Sequence, residues 1–201
     1  AALLASETGN SLNLTSVSAV DAGVYSVVVN GACSSVSKSA NLMVNAEAVV
    51  VGAPVSLTNC PGTSASFSVS ATGTGLTYQW YKDGTVLLGQ TGSIVTLSNI
   101  SATDAGVYSV AVGGTCGSTV TKSASLTVNQ ERAISVVPSS ATNCPATTAS
   151  FSAVASGTGL AYQWYKNGTI IAGQTNNGLI VPNVSAADAG TYSVVAQGVC
   201  G

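Results

Sequence analysis

The sequence predicts an all-β protein made of antiparallel two-sheet sandwiches strung head to tail. Three observations carry that expectation. The phrase DAGVYSV occupies Asp21 to Val27, returns at Asp104 to Val110, and recurs as DAGTYSV at Asp188 to Val194, spacings of 83 and 84 residues. Self-similarity at such a period marks a tandem array of small domains. Within each copy the side chains alternate: Tyr108, Val110 and Val112 face one side, Ser109 and Ala111 the other, the period of a half-buried strand. Hydrophobic residues make up 46 % of the chain and are rich in Val and Ala, enough to build a packed β core.

Each copy of the phrase is preceded by Ser-x-x-Asp, starting at Ser18, Ser101 and Ser185. This is a capping-box pattern with Asp in place of the usual Glu, and it predicts one helical turn. Gly23, Gly106 or Gly190 then lets the chain swing into a strand.

Residues 1–45 read as the C-terminal half of a repeat, with Ala1 aligned on Gly84. LNLTSV leads to the phrase, Asn30-Gly31 predicts a type I′ hairpin turn, and a strand ends at Ala40 to Val44. Residues 46–129 form one complete repeat. Its opening strand is broken at Pro54, which a central strand would not tolerate. Pro61-Gly62 turns the chain into a strand with Phe67, Val69 and Ala71 inward. TYQWYK follows, with Tyr78 and Trp80 on one face and Gln79 and Tyr81 on the other, then an Asp83-Gly84 hairpin. Another strand spans Ile94 to Leu97, and SASLTV closes the repeat after a glycine hairpin at Gly113-Gly114. Residues 130–201 restate this as ASFSAVASGTGLAYQWYKNG and stop before a last strand. Both linkers, around Asn45-Ala46-Glu47 and Asn129-Gln130-Glu131, are short and lack Gly, Ser or Pro runs, which predicts a stiff rod.

A strand with an inward aromatic, a Trp-Tyr-Lys strand, and Asp-x-Gly-x-Tyr two strands later together resemble the immunoglobulin fold. In particular the chain resembles the tandem immunoglobulin-like repeats of large bacterial surface and secreted proteins. The resemblance implies a sandwich of about seven strands per repeat. It makes Tyr25, Tyr108 and Tyr192 the tyrosine-corner residues and Trp80 and Trp164 the core tryptophans. The inter-sheet disulfide of such domains would fall at Val69 and Val110, and again at Ala153 and Val194, where this chain has no cysteine.

The five cysteines lie elsewhere. Cys60 and Cys144 sit in TNCP, and Cys33, Cys116 and Cys200 follow glycine turns. No Cys-x-x-Cys pattern and no His is present, so neither a metal nor a cofactor is expected. Paired disulfides imply an oxidising, extracellular setting. In a sandwich of the immunoglobulin type, Cys60 and Cys116 would lie at opposite ends, which disfavours a bridge between them because the Cα atoms of a disulfide must come within about 7 Å. The expected pair is therefore Cys60–Cys200, stapling the second repeat to the third, with Cys33, Cys116 and Cys144 pairing to repeats beyond this chain. The alternative is bridging within repeats, Cys60–Cys116 and Cys144–Cys200.

Five Lys plus Arg against seven Asp plus Glu, a net charge of −2, supply no basic patch for nucleic acid or an anionic membrane. No apolar run approaches the roughly 20 residues of a membrane span. With no initiating Met and no leader, the chain reads as a piece of something longer. Catalysis finds little material: Asp21, Asp104 and Asp188 read as turn caps, Asp83 as a hairpin residue, and the chain is expected not to be an enzyme. Tyr81 and Tyr165, beside Gln79 and Gln163, are candidates for stacking on a sugar, or alternatively cover a sheet face. Asn13, Asn99, Asn167 and Asn183 open Asn-x-Ser/Thr sequons. Charged residues are only 6 % of the chain, so strand faces carry Ser, Thr, Ala and Val. Such rods pack side by side without desolvating ions. The expected function is an extracellular structural protein, a fibre, stalk or sheath on a bacterial surface with a secondary adhesive role. Its partners would be copies of itself, further repeats or surface glycans. The alternative is a carbohydrate-binding accessory module of a secreted enzyme.

Overall fold

The computed structural model describes residues 8–201, so the alignment of Ala1 with Gly84 lies outside the described residues. The first segment folds as a hairpin of β1 (Gly23–Asn30) and β2 (Ser35–Leu42), with Tyr25 opposite Ala40. The type I′ turn expected at Asn30-Gly31 does not form. Neither residue takes a positive φ, and the loop Gly31–Ser34 closes through the Gly31 N–H donating to Ser34 O at 2.8 Å. Register decides this: Val29 pairs with Val36 and Asn30 with Ser35, which leaves the four residues Gly31–Ser34 over at the tip.

The complete sandwich runs β3 (Val49–Gly52), β4 (Leu57–Asn59), β5 (Ala65–Ser68), β6 (Ser70–Thr72), β7 (Thr77–Lys82), β8 (Thr85–Val86), β9 (Ile94–Leu97), β10 (Gly106–Gly113) and β11 (Val120–Val128). One sheet pairs β3 with β6 and β5 with β9; the other has the order β4-β11-β10-β7-β8. β5 and β6 are one strand interrupted at Val69, whose N–H turns to Ser93 O at 2.9 Å. Pro54 is buried where the chain leaves the first sheet for the second, a place where its missing N–H breaks no ladder. A single 3₁₀ turn, Ala102–Asp104, sits ahead of β10.

The core lies where the alternation places it. Trp80 and Val110 are fully buried, Phe67, Val95 and Tyr108 nearly so, and Leu97 packs against them partly buried. Phe67 stacks on Tyr108 with centroids 4.9 Å apart. The Trp80 indole N–H donates to Gly92 O at 2.9 Å, so burying the ring leaves no donor unsatisfied. Val69, Val110 and Ala153 fill the places of an inter-sheet disulfide with buried apolar side chains.

The third segment repeats the plan with β12 (Ala133–Val136), β13 (Ala149–Ser152), β14 (Val154–Ser156), β15 (Ala161–Lys166), β16 (Thr169–Ile170), β17 (Gly178–Val181) and β18 (Tyr192–Gln197). Trp164 is fully buried, and Phe151 stacks on Tyr192 at 4.8 Å.

Candidate functional site at the sandwich junction

The repeated phrase builds a rigid corner. Tyr25, Tyr108 and Tyr192 donate their hydroxyls to the carbonyls of Asp21, Asp104 and Asp188, each at 2.8 Å. The same three aspartates accept the N–H of Ser18, Ser101 and Ser185 at 2.8, 2.7 and 2.9 Å. The backbone N–H and then the hydroxyl of the serine hold the carboxyls of Asp104 and Asp188 below the usual carboxylate range. Asp83 does sit in a tight hairpin, with φ of 48° there and 80° at Gly84. It also reaches across to accept the Val107 N–H at 2.8 Å, and Asn167 does the same for Thr191. Lys82, 2.8 Å away, and that N–H together depress the Asp83 carboxyl. Reading the sequence missed this reach because nothing local marks a contact across 24 residues.

Tyr81 and Tyr165 are half-buried on the sheet. Their neighbours Gln79 and Gln163 do not face a ligand. Gln79 Nε2 donates to Trp80 O and Leu87 O at 2.9 and 2.8 Å, and Gln163 Nε2 to Trp164 O and Ile171 O at 3.0 and 2.9 Å. Both amides are engaged in fixing the bend after the tryptophan strand. Three sequon asparagines also have backbone work: Asn99, Asn167 and Asn183 take φ of 53°, 50° and 51°, a left-handed conformation that asparagine tolerates. Asn13 is exposed.

The structure joins Cys60 to Cys200 in a disulfide with Cα atoms 5.6 Å apart. The bridge runs from the turn between β4 and β5 to the segment following β18, so it links two sandwiches. Neither within-repeat pair forms, and Cys33, Cys116 and Cys144 have no disulfide partner among the described residues. The Cys60 turn is held by Thr63 Oγ1 donating to Cys60 O at 2.7 Å and Asn59 Nδ2 to Ser64 O at 3.1 Å. The Cys144 turn is held by the same bonds, Thr147 to Cys144 O and Asn143 to Thr148 O. Cys60 Sγ lies 3.8 Å from Val199 O, a packing contact, since a disulfide sulfur has no proton to donate.

The chain itself crosses the same boundary with no slack. The Asn129 N–H bonds to Asn59 O at 2.9 Å, beside the bridged turn. The next residue is anchored to the other sandwich: Gln130 N–H donates to Thr158 Oγ1 at 2.8 Å, and Gln130 O accepts the Thr158 N–H at 3.1 Å. Arg132 then lies along the Cys200 segment, with Nη1 3.3 Å from Ala196 O. Gly157 permits this approach, because a Cβ there would stand 2.9 Å from Arg132 Cα. Among the described residues no cluster of His, Cys, Asp and Glu could hold a metal, and no helix is long and apolar enough to cross a membrane.

A family model described as immunoglobulin domain matches residues 40–128 and 135–198. Solved structures of multi-domain chains share the fold. A three-domain titin fragment, I67–I69 in an E-to-A variant, aligns with a TM-score of 0.67 at 20 % identity, over 92 % of this chain and 72 % of that one. Domains 1–5 of Sidekick-1 align at 0.64 and 20 % identity, over 90 % of this chain and 45 % of that one. Extracellular domains 3–5 of Drosophila OTK align at 0.56 and 20 % identity, over 92 % and 69 %. No curated protein matches the chain in sequence.

Proposed function

The chain belongs to the immunoglobulin domain family, and from that premise we propose that it is a non-catalytic structural segment of an extracellular fibre, stalk or sheath on a bacterial surface, with adhesion as a secondary role. The junction carries this reading. Two covalent connections, the Asn129–Gln130 peptide bond and the Cys60–Cys200 disulfide, cross between neighbouring sandwiches. A joint held at two points resists both bending and twisting, a property suited to a length-bearing rod rather than to a diffusing binder. The disulfide also supports an oxidising, extracellular setting.

The surface supports the same reading. With five basic and seven acidic residues in 201, rods can lie side by side without stripping water from ions. Partners are further repeats or copies of the chain, with surface glycans as adhesive targets. A carbohydrate-binding module is not adopted, because the amide N–H groups of Gln79 and Gln163 are engaged by backbone carbonyls and do not donate to a sugar beside Tyr81 or Tyr165.

Electron microscopy of the native material tests the proposal. The expected result is filaments with an axial repeat near one domain length. A dispersed monomer that binds polysaccharide, and loses binding with Tyr81→Ala, overturns it.

A further inference from the structure

Three of the Asn-x-Ser/Thr sequons lie in the middle and third sandwiches, and Asn99, Asn167 and Asn183 are all exposed with similar left-handed φ. What separates them is the rest of each tripeptide. After Asn99, Ile100 is 1 % exposed; its N–H donates to Thr63 O at 2.9 Å and its O accepts the Gly62 N–H at 2.8 Å. After Asn183, Val184 is held in the same way, by Thr147 O at 2.9 Å and the Ala146 N–H at 2.8 Å. The third residues are engaged too. The Ser101 and Ser185 hydroxyls donate to the carboxylates of Asp104 and Asp188 at 2.9 and 2.8 Å. An enzyme that attaches a sugar to a sequon must take in all three residues and read the hydroxyl of the last. In the folded sandwiches these two sequons are closed to it.

Asn167-Gly168-Thr169 is built the other way. It forms the tip of the β15–β16 hairpin, and all three residues are exposed. Gly168 has φ of +78° and nothing within 4 Å of a Cβ, so the tip stands in open space. Among the described residues no hydrogen bond ties up the Thr169 hydroxyl. The asparagine amide is also oriented. Its Oδ1 accepts the Thr191 N–H at 2.8 Å, and because only the oxygen can accept, Nδ2 is the atom left over for chemistry. A sugar on Nδ2 keeps Oδ1 and its bond to Thr191. The corresponding residue of the middle sandwich, Asp83, makes the same bond to the Val107 N–H but has no nitrogen to offer.

We propose that Asn167 is the residue at which the folded sandwiches accept an N-linked sugar from a sugar diphosphate donor. In the transfer a bond forms between Nδ2 and the anomeric carbon of the sugar. The bond from that carbon to the diphosphate oxygen breaks, the diphosphate leaves with the electron pair, and the proton lost from Nδ2 passes to a base of the transferase. No oxidation or reduction is involved.

Incubating the folded, oxidised 201-residue chain with a soluble sequon-directed glucosyltransferase and UDP-glucose, followed by peptide mass spectrometry, tests this. The peptide containing Asn167 should gain one hexose. Those containing Asn99 and Asn183 should lag by about tenfold or more, because each must first open locally. After reduction and denaturation the three should react alike. Asn13, exposed and outside any strand, is the positive control within the same chain. Asn167→Asp should abolish the hexose on its peptide without disturbing the fold, since Asp83 already occupies the equivalent turn. Modification of Asn99 or Asn183 as fast as Asn167 in the folded chain overturns the proposal. So does an Asn167 that reacts only after denaturation. The inference does not rest on the fibre reading, because a dispersed chain reports it whether or not filaments form.

Discussion

Asn129 and Gln130 are consecutive residues that belong, by their hydrogen bonds, to different sandwiches. Asn129 is tied to Asn59 in the middle sandwich and Gln130 to Thr158 in the third. No residue between them is left to act as a hinge. A flexible linker needs unpaired, solvated backbone, and here the backbone on each side of the boundary is bonded to a folded unit.

Removing the disulfide tests the second connection. In the chain-entropy picture, closing a loop across 140 residues constrains the unfolded chain by up to about 5 kcal/mol. The bridge spans two sandwiches, so the effect should appear as coupling between them. Calorimetry should show the second and third sandwiches of the oxidised chain melting in one transition, and those of Cys60→Ser/Cys200→Ser in two. Two transitions in the oxidised chain would show that the bridge does not couple them.

Trp80→Ala should destabilise the middle sandwich by about 3–5 kcal/mol, the range for large aromatics removed from a core. The ring is fully buried and its N–H satisfies Gly92 O, so the variant loses packing and leaves that carbonyl without its donor. Denaturant unfolding followed by Trp164 fluorescence, with circular dichroism for the whole chain, separates the two sandwiches. An unchanged midpoint for the middle sandwich would contradict the core assignment.

Acid should loosen the corners. The carboxyls of Asp104 and Asp188 are held below the usual carboxylate range by the N–H and hydroxyl of Ser101 and Ser185. A depressed folded-state pKa stabilises the fold above the unfolded value, and the contribution is lost as pH falls through the folded value. The melting temperature should therefore hold from neutrality down to about pH 4 and decline below it. Asp104→Asn/Asp188→Asn keeps an acceptor oxygen but does not titrate, so its acid decline should be shallower. An identical decline would assign the loss to other carboxyls.

Two glycines separate strain from contact. Gly157 has φ of +141° and stands against Arg132, while Gly173 has φ of +77° with nothing within 4 Å of a Cβ. Gly173→Ala should cost about 1–2 kcal/mol, the left-handed penalty alone. Gly157→Ala should add about 1–3 kcal/mol for the overlap and shift the amide resonances of Gln130 to Arg132. Equal losses from the two variants would show that the junction backbone yields without resistance.

Much of the fold was legible because its signals are local and repeated. The Ser-x-x-Asp turn, the alternation through Tyr108 and Val110, and the Trp80 strand each follow from a few neighbouring residues. What stayed hidden depends on residues far apart in sequence. Asn30-Gly31 carries the local mark of a two-residue turn, but strand register overrode it. Gln79 looked free beside Tyr81 because nothing in TYQWYK shows that the chain folds back and brings Leu87 O within reach. The anchoring of Gln130 by Thr158 was invisible for the same reason, although the short linker already argued for stiffness.

The Cys60–Cys200 bridge also fixes the path of tension through the chain. Pulled at its ends, the molecule carries load along the covalent route into the middle sandwich as far as Cys60, across the sulfurs, and out at Cys200. Residues 61–199 lie off that route and feel no pull. At about 3.4 Å per extended residue, a separation of 140 residues keeps roughly 480 Å of contour in reserve. That reserve opens only when a thiol reduces the bridge, so the chemistry of the surroundings, rather than force alone, sets when the strand beyond Cys60 begins to lengthen.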